Sequence, residues 1–281
     1  MRVESANTFA TINIYDIDVP LLARPWKVTL PLAMSASHAQ KHHKKTLGFT
    51  AWAVHLLLLA LMLILAIWAT RWGWAEVLVA EPHNVMDHWR TGQPMPSDEE
   101  LDRLGKLLEK AQSLNSQNAD IAFDRGRFAE WKAQKHPLWT EEAHQYRKEA
   151  IEYFREAISL RPSWGLAWVN LANSLVLNQQ LYSGGMEALE KAAVLAPLES
   201  NVQQRVIWLG LSQWKHADGD LRMRLRGILE RNLKVRPYVV IKAIVDFHLE
   251  KDLDDLVTGN KDQELLNKML AKQKRSGIRN R

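Results

Sequence analysis

From Phe49 to Thr70 the chain reads FTAWAVHLLLLALMLILAIWAT, 22 residues with no Asp, Glu, Lys or Arg. As an α-helix rising ~1.5 Å per residue, this stretch reaches roughly 33 Å, the thickness of a bilayer's hydrocarbon core. A single helix can cross lipid because it satisfies its backbone hydrogen bonds internally. The stretch leaves 48 residues before it and 211 after it, so its orientation decides where most of the chain works. KHHKK (Lys41–Lys45) precedes it; Arg71 follows, and then no Lys or Arg occurs until Arg90, with Glu76, Glu81 and Asp87 in between. The flank richer in Lys and Arg stays cytoplasmic, which predicts the N-terminus inside and the C-terminus outside. Of twelve tryptophans, Trp52, Trp68, Trp72 and Trp74 fall in or beside the stretch. The last three stand where interfacial aromatic belts form.

A secretory signal would need a shorter apolar core, about 7–15 residues, and a small-x-small cleavage site. The only candidate site, Leu78–Ala80, is poor, so an uncleaved anchor is expected over 47–72, followed by a juxtamembrane linker over 73–97. A core helix would carry a polar face; only His55 is ionisable here, one turn from the cytoplasmic end, and a neutral or snorkelling histidine accounts for it. Residues 1–46 contain three prolines in DIDVPLLARPWKVTLPLAM and hold no helical or strand period, which predicts a largely disordered cytoplasmic tail. Met34 is an alternative start, giving a short basic leader. His38, His42 and His43 lie among lysines and read as a charged flank. With no cysteine in 281 residues, disulfides, thiol nucleophiles and thiolate metal sites are excluded. A net charge of +5, concentrated at Lys41–Lys45 and in KQKRSGIRNR, gives little support for nucleic-acid binding.

Beyond the linker one pattern recurs. Ala150, Phe154, Ala157 and Pro162 are spaced 4, 3 and 5 residues apart. Small residues let antiparallel helices approach, the large one fills the gap, and the proline ends the helix. Leu225, Leu229, Asn232 and Pro237 repeat the spacing, as do Leu104, Leu108, Ala111 and Ser116; Leu189, Ala192 and Pro197 repeat its last two steps. Trp168, Leu171, Ala172 and Leu175 open the helix before one of these blocks. Pro162 to Pro197 is 35 residues, Pro197 to Pro237 is 40, and Ser116 to Pro162 is 46. The surplus in the last is expected in an extended loop around KAQKHPLWTEEAHQ, marked by Pro137. Over about 120 residues this resembles the tetratricopeptide repeat. The expected fold is all-α: one transmembrane helix, then a tetratricopeptide-like α-solenoid of about three degenerate repeats with capping helices over 98–272, and a basic disordered tail over 273–281.

No catalytic constellation stands out: G-x-S-x-G, Walker, H-E-x-x-H, G-x-G-x-x-G and zinc spacings are missing. His83, Asp87 and His88 read as a solvated linker, Glu141, Glu142 and Glu149 as a solvated helix face. Ser183-Gly184-Gly185 reads as a helix–helix turn. RMRLR (Arg222–Arg226) reads as an outer face. The chain is therefore not expected to be an enzyme, and no cofactor or metal is implied. What remains is binding. In a solenoid of this kind the first helices of successive units line a concave groove. The corresponding positions are Asp120, Phe123, Arg127, Glu130 and Trp131; then Leu166, Val169, Asn173 and Val176; then Asn201, Gln204, Trp208 and Leu211. Arg127, Trp131, Asn173, Gln204 and Trp208 suit a peptide, or stacking on a sugar ring. Trp131 and Trp208 read equally as core residues between helices.

Trp89, Arg90, Gly92 and Pro94 form W-R-x-G-x-P, followed by EELDRLGKLLEKAQSLNSQNADIAFDRGRFAEW and the repeats. With the basic leader and single span, this resembles the VpsP-like family, membrane-anchored tetratricopeptide proteins of bacterial exopolysaccharide biosynthesis, over roughly residues 40–240. The resemblance implies a non-catalytic accessory role in polysaccharide synthesis or export. With the charge flanks placing the repeat domain in the periplasm, the leading expectation is an inner-membrane protein holding a protein partner, or a glycan, in the groove. A periplasmic chaperone or an envelope or cytochrome biogenesis factor is the alternative.

Overall fold

The computed structural model describes residues 49–90 and 97–279, and no strand occurs among them. Backbone contacts divide the chain after Ala53. The first unit contributes only residues 49–53, the opening of one helix, to what is described. The expected tail over 1–46, and the choice between Met1 and Met34, lie outside the described residues. The fold is all-α, with one long apolar helix.

That helix, α1 (Phe49–Arg90), has 42 residues and measures roughly 63 Å at ~1.5 Å per residue. A window in it has mean hydropathy 2.5 with none of it buried inside the protein, which makes α1 long and apolar enough to cross a membrane. The helix does not stop at the end of the apolar stretch. Residues 73–90, expected in a linker, are its last turns. Ala75, Val79, Met86 and Trp89 are buried against Leu101, Leu104, Leu108, Ile121 and Phe128. Their positions follow the helical period. Pro82 lies inside this segment and removes one helical hydrogen bond. The helix passes through it because packing on one face holds both sides in line.

Eight further helices follow in order: α2 (Asp98–Leu114), α3 (Ala119–Gln134), α4 (Glu141–Leu160), α5 (Gly165–Leu177), α6 (Met186–Leu195), α7 (Ser200–Gln213), α8 (Gly219–Val235) and α9 (Pro237–Asp246). Each packs on the next, and α5 also touches α7, as α7 touches α9. The recurrent 4, 3, 5 spacing marks equivalent places in α2, α4, α6 and α8. Leu104, Leu108, Ala111, Ala150, Phe154, Ala157, Leu189, Ala192, Leu225, Leu229 and Asn232 are all buried. The four helices end at Leu114, Leu160, Leu195 and Val235, each two residues before the Ser or Pro that closes its block. The C-terminal closures also coincide: the N–H groups of Asn115, Arg161, Ala196 and Arg236 donate to the carbonyls of Ala111, Ala157, Ala192 and Asn232. The third position of each block thus accepts the bond that ends its helix.

The 46-residue unit spends its surplus on helix rather than loop. Only residues 135–140 separate α3 from α4, and α4 has 20 residues where α6 has 10. The reason is local: Thr140 caps α4 by accepting from the Ala143 N–H, with Glu141 and Glu142 in the first turn, both favourable at a helix N-terminus. Between α5 and α6 the turn is a single wide one over Leu181–Gly185, where Gly184 has φ +110, a conformation glycine adopts without strain. At Gly126, α3 comes so close to α4 that a β-carbon would lie 2.6 Å from the Phe154 ring. The closing region divides into α9 and α10 (Asn260–Arg279), separated by turns over 247–259. Helix α10 runs past Lys272, through residues expected as a disordered tail. Gln273 Nε2 donates to the Val245 carbonyl.

Candidate functional site

One face of α3 carries Asp120, Phe123, Asp124, Arg127, Glu130 and Trp131, at spacings that place side chains along a common helix face. Leu166, Asn170 and Asn173 do the same on α5, and Asn201, Gln204 and Arg205 on α7. These faces, with His83 and Asp87 of α1, line a cleft of ≈ 630 Å³. Four of the five residues singled out from sequence, Arg127, Trp131, Asn173 and Gln204, line it together. Trp208 does not. Its ring packs edge-on against Phe247 at 5.2 Å, and Lys242 Nζ sits 5.2 Å from the ring centre. It packs on α9 and the turn that follows, half-buried, on the side of α7 away from the cleft.

The α1 wall is built by charge. Asp124 is 2% exposed. Its carboxylate meets His83 Nδ1 at 2.7 Å and Arg127 at 3.0 Å. Arg127 also donates to Asp87 at 2.6 Å, and His83 Nε2 lies 3.7 Å from Asp87. One terminal nitrogen of Arg127 therefore ties α3 to Asp87 of α1, and the other holds Asp124 of its own helix, which in turn meets His83 of α1. The sequence reading placed His83 and Asp87 in a solvated linker. Their partners lie 40 and 41 residues away, and no spacing within α1 discloses them. Trp131 adds an edge-on contact to Trp89 at 5.5 Å, so it joins the two helices and also lines the cleft.

At the entry of α3, Asp120 takes two bonds from Arg161, at 3.1 and 2.7 Å. The Arg161 guanidinium lies 4.5 Å from the centre of the Trp164 ring, which packs on Phe123 at 4.5 Å. Deeper in, Glu130 is buried and accepts from the Ser174 hydroxyl. Burial pushes its carboxyl above the usual glutamate range, against the Ser174 hydrogen bond and the positive charges of Arg147 and Arg205. Desolvation dominates because a carboxylate out of water loses more than one hydroxyl and two displaced cations return. Arg205 donates to the Asn170 amide oxygen at 3.0 Å, and Asn170 donates to the Leu166 carbonyl at 2.7 Å.

Asn173 and Gln204 differ from their neighbours. Both side-chain amides face the cleft, and neither is hydrogen-bonded to another described residue. Each offers a donor and an acceptor. Such groups read an extended backbone or a row of hydroxyls, not a single charge. Among the described residues no three His, Asp or Glu side chains converge to hold a metal ion. No family model matches the chain, and no curated protein matches it.

Proposed function

We propose that the chain is a non-catalytic, single-pass bacterial inner-membrane protein whose tetratricopeptide-like helix pairs serve exopolysaccharide biosynthesis or export. The α3–α5–α7 cleft holds an extended segment of a partner protein from that machinery. The observation that carries the reading is the pair of amides without a protein partner, Asn173 on α5 and Gln204 on α7, in one cleft beside the Trp131 ring. Amides along a groove pair with peptide N–H and C=O groups, and an aromatic wall takes one apolar side chain, the usual division of labour in peptide recognition. The recurrent 4, 3, 5 spacing and the matching helix ends support a repeat scaffold. The charge flanks of Phe49–Thr70 support a cytoplasmic N-terminus and a periplasmic cleft.

Deletion of the gene should lower exported polysaccharide. The wild-type chain should restore it, and the Asn173→Ala/Gln204→Ala variant, at equal abundance in the membrane, should not. A photo-crosslinker at Gln204 should capture a protein of the same machinery. Unchanged polymer in the deletion strain refutes the role. A reporter fused after Arg281 should be active only outside the cytoplasm, and cytoplasmic activity reverses the orientation.

A further inference from the structure

The helix ends of this domain fall into two sets. Arg71 donates to the Ser113 carbonyl at 3.2 Å and Asn118 to Glu76 at 2.6 Å, so the α2–α3 turn sits beside α1 just past its apolar stretch. Arg161, after α4, pairs with Asp120 at the start of α3. Gly165, opening α5, abuts Ala196 after α6. Gln203, near the start of α7, bonds both the Ala196 carbonyl and Asn232 near the end of α8. The α2–α3, α4–α5, α6–α7 and α8–α9 turns therefore share the end of the domain to which the apolar part of α1 leads.

This end exposes Leu198 at 83%, Val194 at 65%, Val235 at 64% and Tyr238 at 58%. Lys234 and Arg236 lie beside the last two, Arg161 occupies the α4–α5 turn, and Arg71 stands on α1 against the end of α2. Glu199 beside Leu198 and Asp120, paired with Arg161, are the acids of this end. The opposite end is the more acidic: Asp218 and Asp220 at the start of α8, then Asp252, Asp254 and Asp255, against Lys135, Lys215 and Lys251. Leu138, Trp139 and Tyr182 are exposed there too, but the first two stand next to Glu141 and Glu142, and the Tyr182 hydroxyl accepts from the Asp218 N–H. Isolated exposed leucines need no explanation. Several at one end, accompanied by cations and at the end toward which an apolar helix leads, match an interfacial surface, where apolar side chains enter the headgroup boundary and Lys and Arg meet anionic lipid.

We propose that the α6–α7 and α8–α9 turns form a membrane-contact surface, with Leu198, Val235 and Tyr238 entering the bilayer interface and Lys234 and Arg236 on anionic headgroups. The inference rests on α1 crossing that same bilayer. Because the chain has no cysteine, single labels are straightforward. The full chain, carrying a fluorophore at Leu57→Cys, Leu198→Cys, Val235→Cys or Asp254→Cys, is reconstituted into vesicles of phosphatidylethanolamine and phosphatidylglycerol containing a lipid-borne quencher. Labels at 198 and 235 should shift to the blue and lose intensity, as at 57, while the label at 254 stays bright. The loss at 198 and 235 should shrink in phosphatidylcholine vesicles. Quenching at 57 with 198 and 235 as bright as 254 overturns this surface and leaves the anchor standing. No quenching at 57 removes the anchor itself. All four positions are exposed, so the labels do not disturb the core.

Discussion

Replacing Gly126 with alanine puts a methyl group where α3 and α4 meet most closely. The new β-carbon would lie 2.6, 2.7 and 3.0 Å from Cε1, Cδ1 and Cζ of Phe154. Carbon atoms prefer ~3.5–4.0 Å, so the ring must retreat by roughly 1 Å. It has nowhere to go. Phe154 is fully buried, and its ring packs on Phe123 at 5.6 Å, which in turn packs on Trp164 at 4.5 Å. Overpacking of this kind costs about 1–3 kcal/mol, and three contacts at or below 3.0 Å put this site in the upper half of that range. Alanine returns ~1 kcal/mol of helix propensity over glycine. The net loss is about 1–2 kcal/mol, a factor of roughly 5–30 in the folding equilibrium. The full chain in micelles, unfolded with urea and followed by near-ultraviolet dichroism, should show a lower midpoint for Gly126→Ala with an unchanged slope. Gly219→Ala, with nothing within 4 Å of the added carbon, serves as the control and should match or exceed wild type. Phe154→Leu should rescue part of the loss at 126, giving a double-mutant coupling of about 1 kcal/mol. A Gly126→Ala midpoint at or above wild type, or an additive cycle, refutes the packing argument.

Arg127→Ala leaves Asp124 buried with His83 as its remaining partner and should cost about 3 kcal/mol in the same urea assay, as for a broken buried pair. Arg103→Ala, which opens an exposed pair with Glu81, should cost under about 1 kcal/mol; equal losses would deny Asp124 its structural role. Glu130 titrates above its ordinary 4.5 when folded because it is buried. Between that value and the raised one the folded chain holds a proton the unfolded chain has released, so its contribution makes stability fall as pH rises through this window. Glu130→Gln should remove that slope and hold or raise stability at pH 7; parallel midpoint-against-pH curves for the two chains would refute it. Trp208→Ala should lower stability by about 3 kcal/mol through lost packing on Phe247 while leaving crosslinking from Gln204 to a partner intact. Loss of crosslinking at full stability would return Trp208 to the binding face.

The second helices were legible because their constraints are local. A small residue where two helices touch, a large one a turn away and a proline two residues past the end are all determined within one helix and written at fixed intervals. The cleft was legible to the same extent: Arg127, Asn173 and Gln204 were found by counting along helices whose register was already known. Trp208 stayed open between groove and core, because it sits where the groove face of α7 borders the face packed on α9, and periodicity alone does not divide those two. Two things escaped. The α10 extension lacked a visible partner for Gln273. The second half of α1 was hidden because Glu76, Glu81 and Asp87 made it look solvated, although Ala75, Val79, Met86 and Trp89 keep the helical period throughout. Those acids are the partners of Asn118, Arg103 and Arg127, so the charges that suggested a linker flank the apolar seam and add polar contacts to it. This changes what the apolar stretch can do. From Val54 to Arg90 there is one helix and no loop, and His83 and Asp87 on it form a wall of the cleft. The apolar seam of Ala75, Val79, Met86 and Trp89 and the ion pairs of His83 and Asp87 together join the continuation of the apolar helix to the cleft wall, where a flexible linker would have left the two separate.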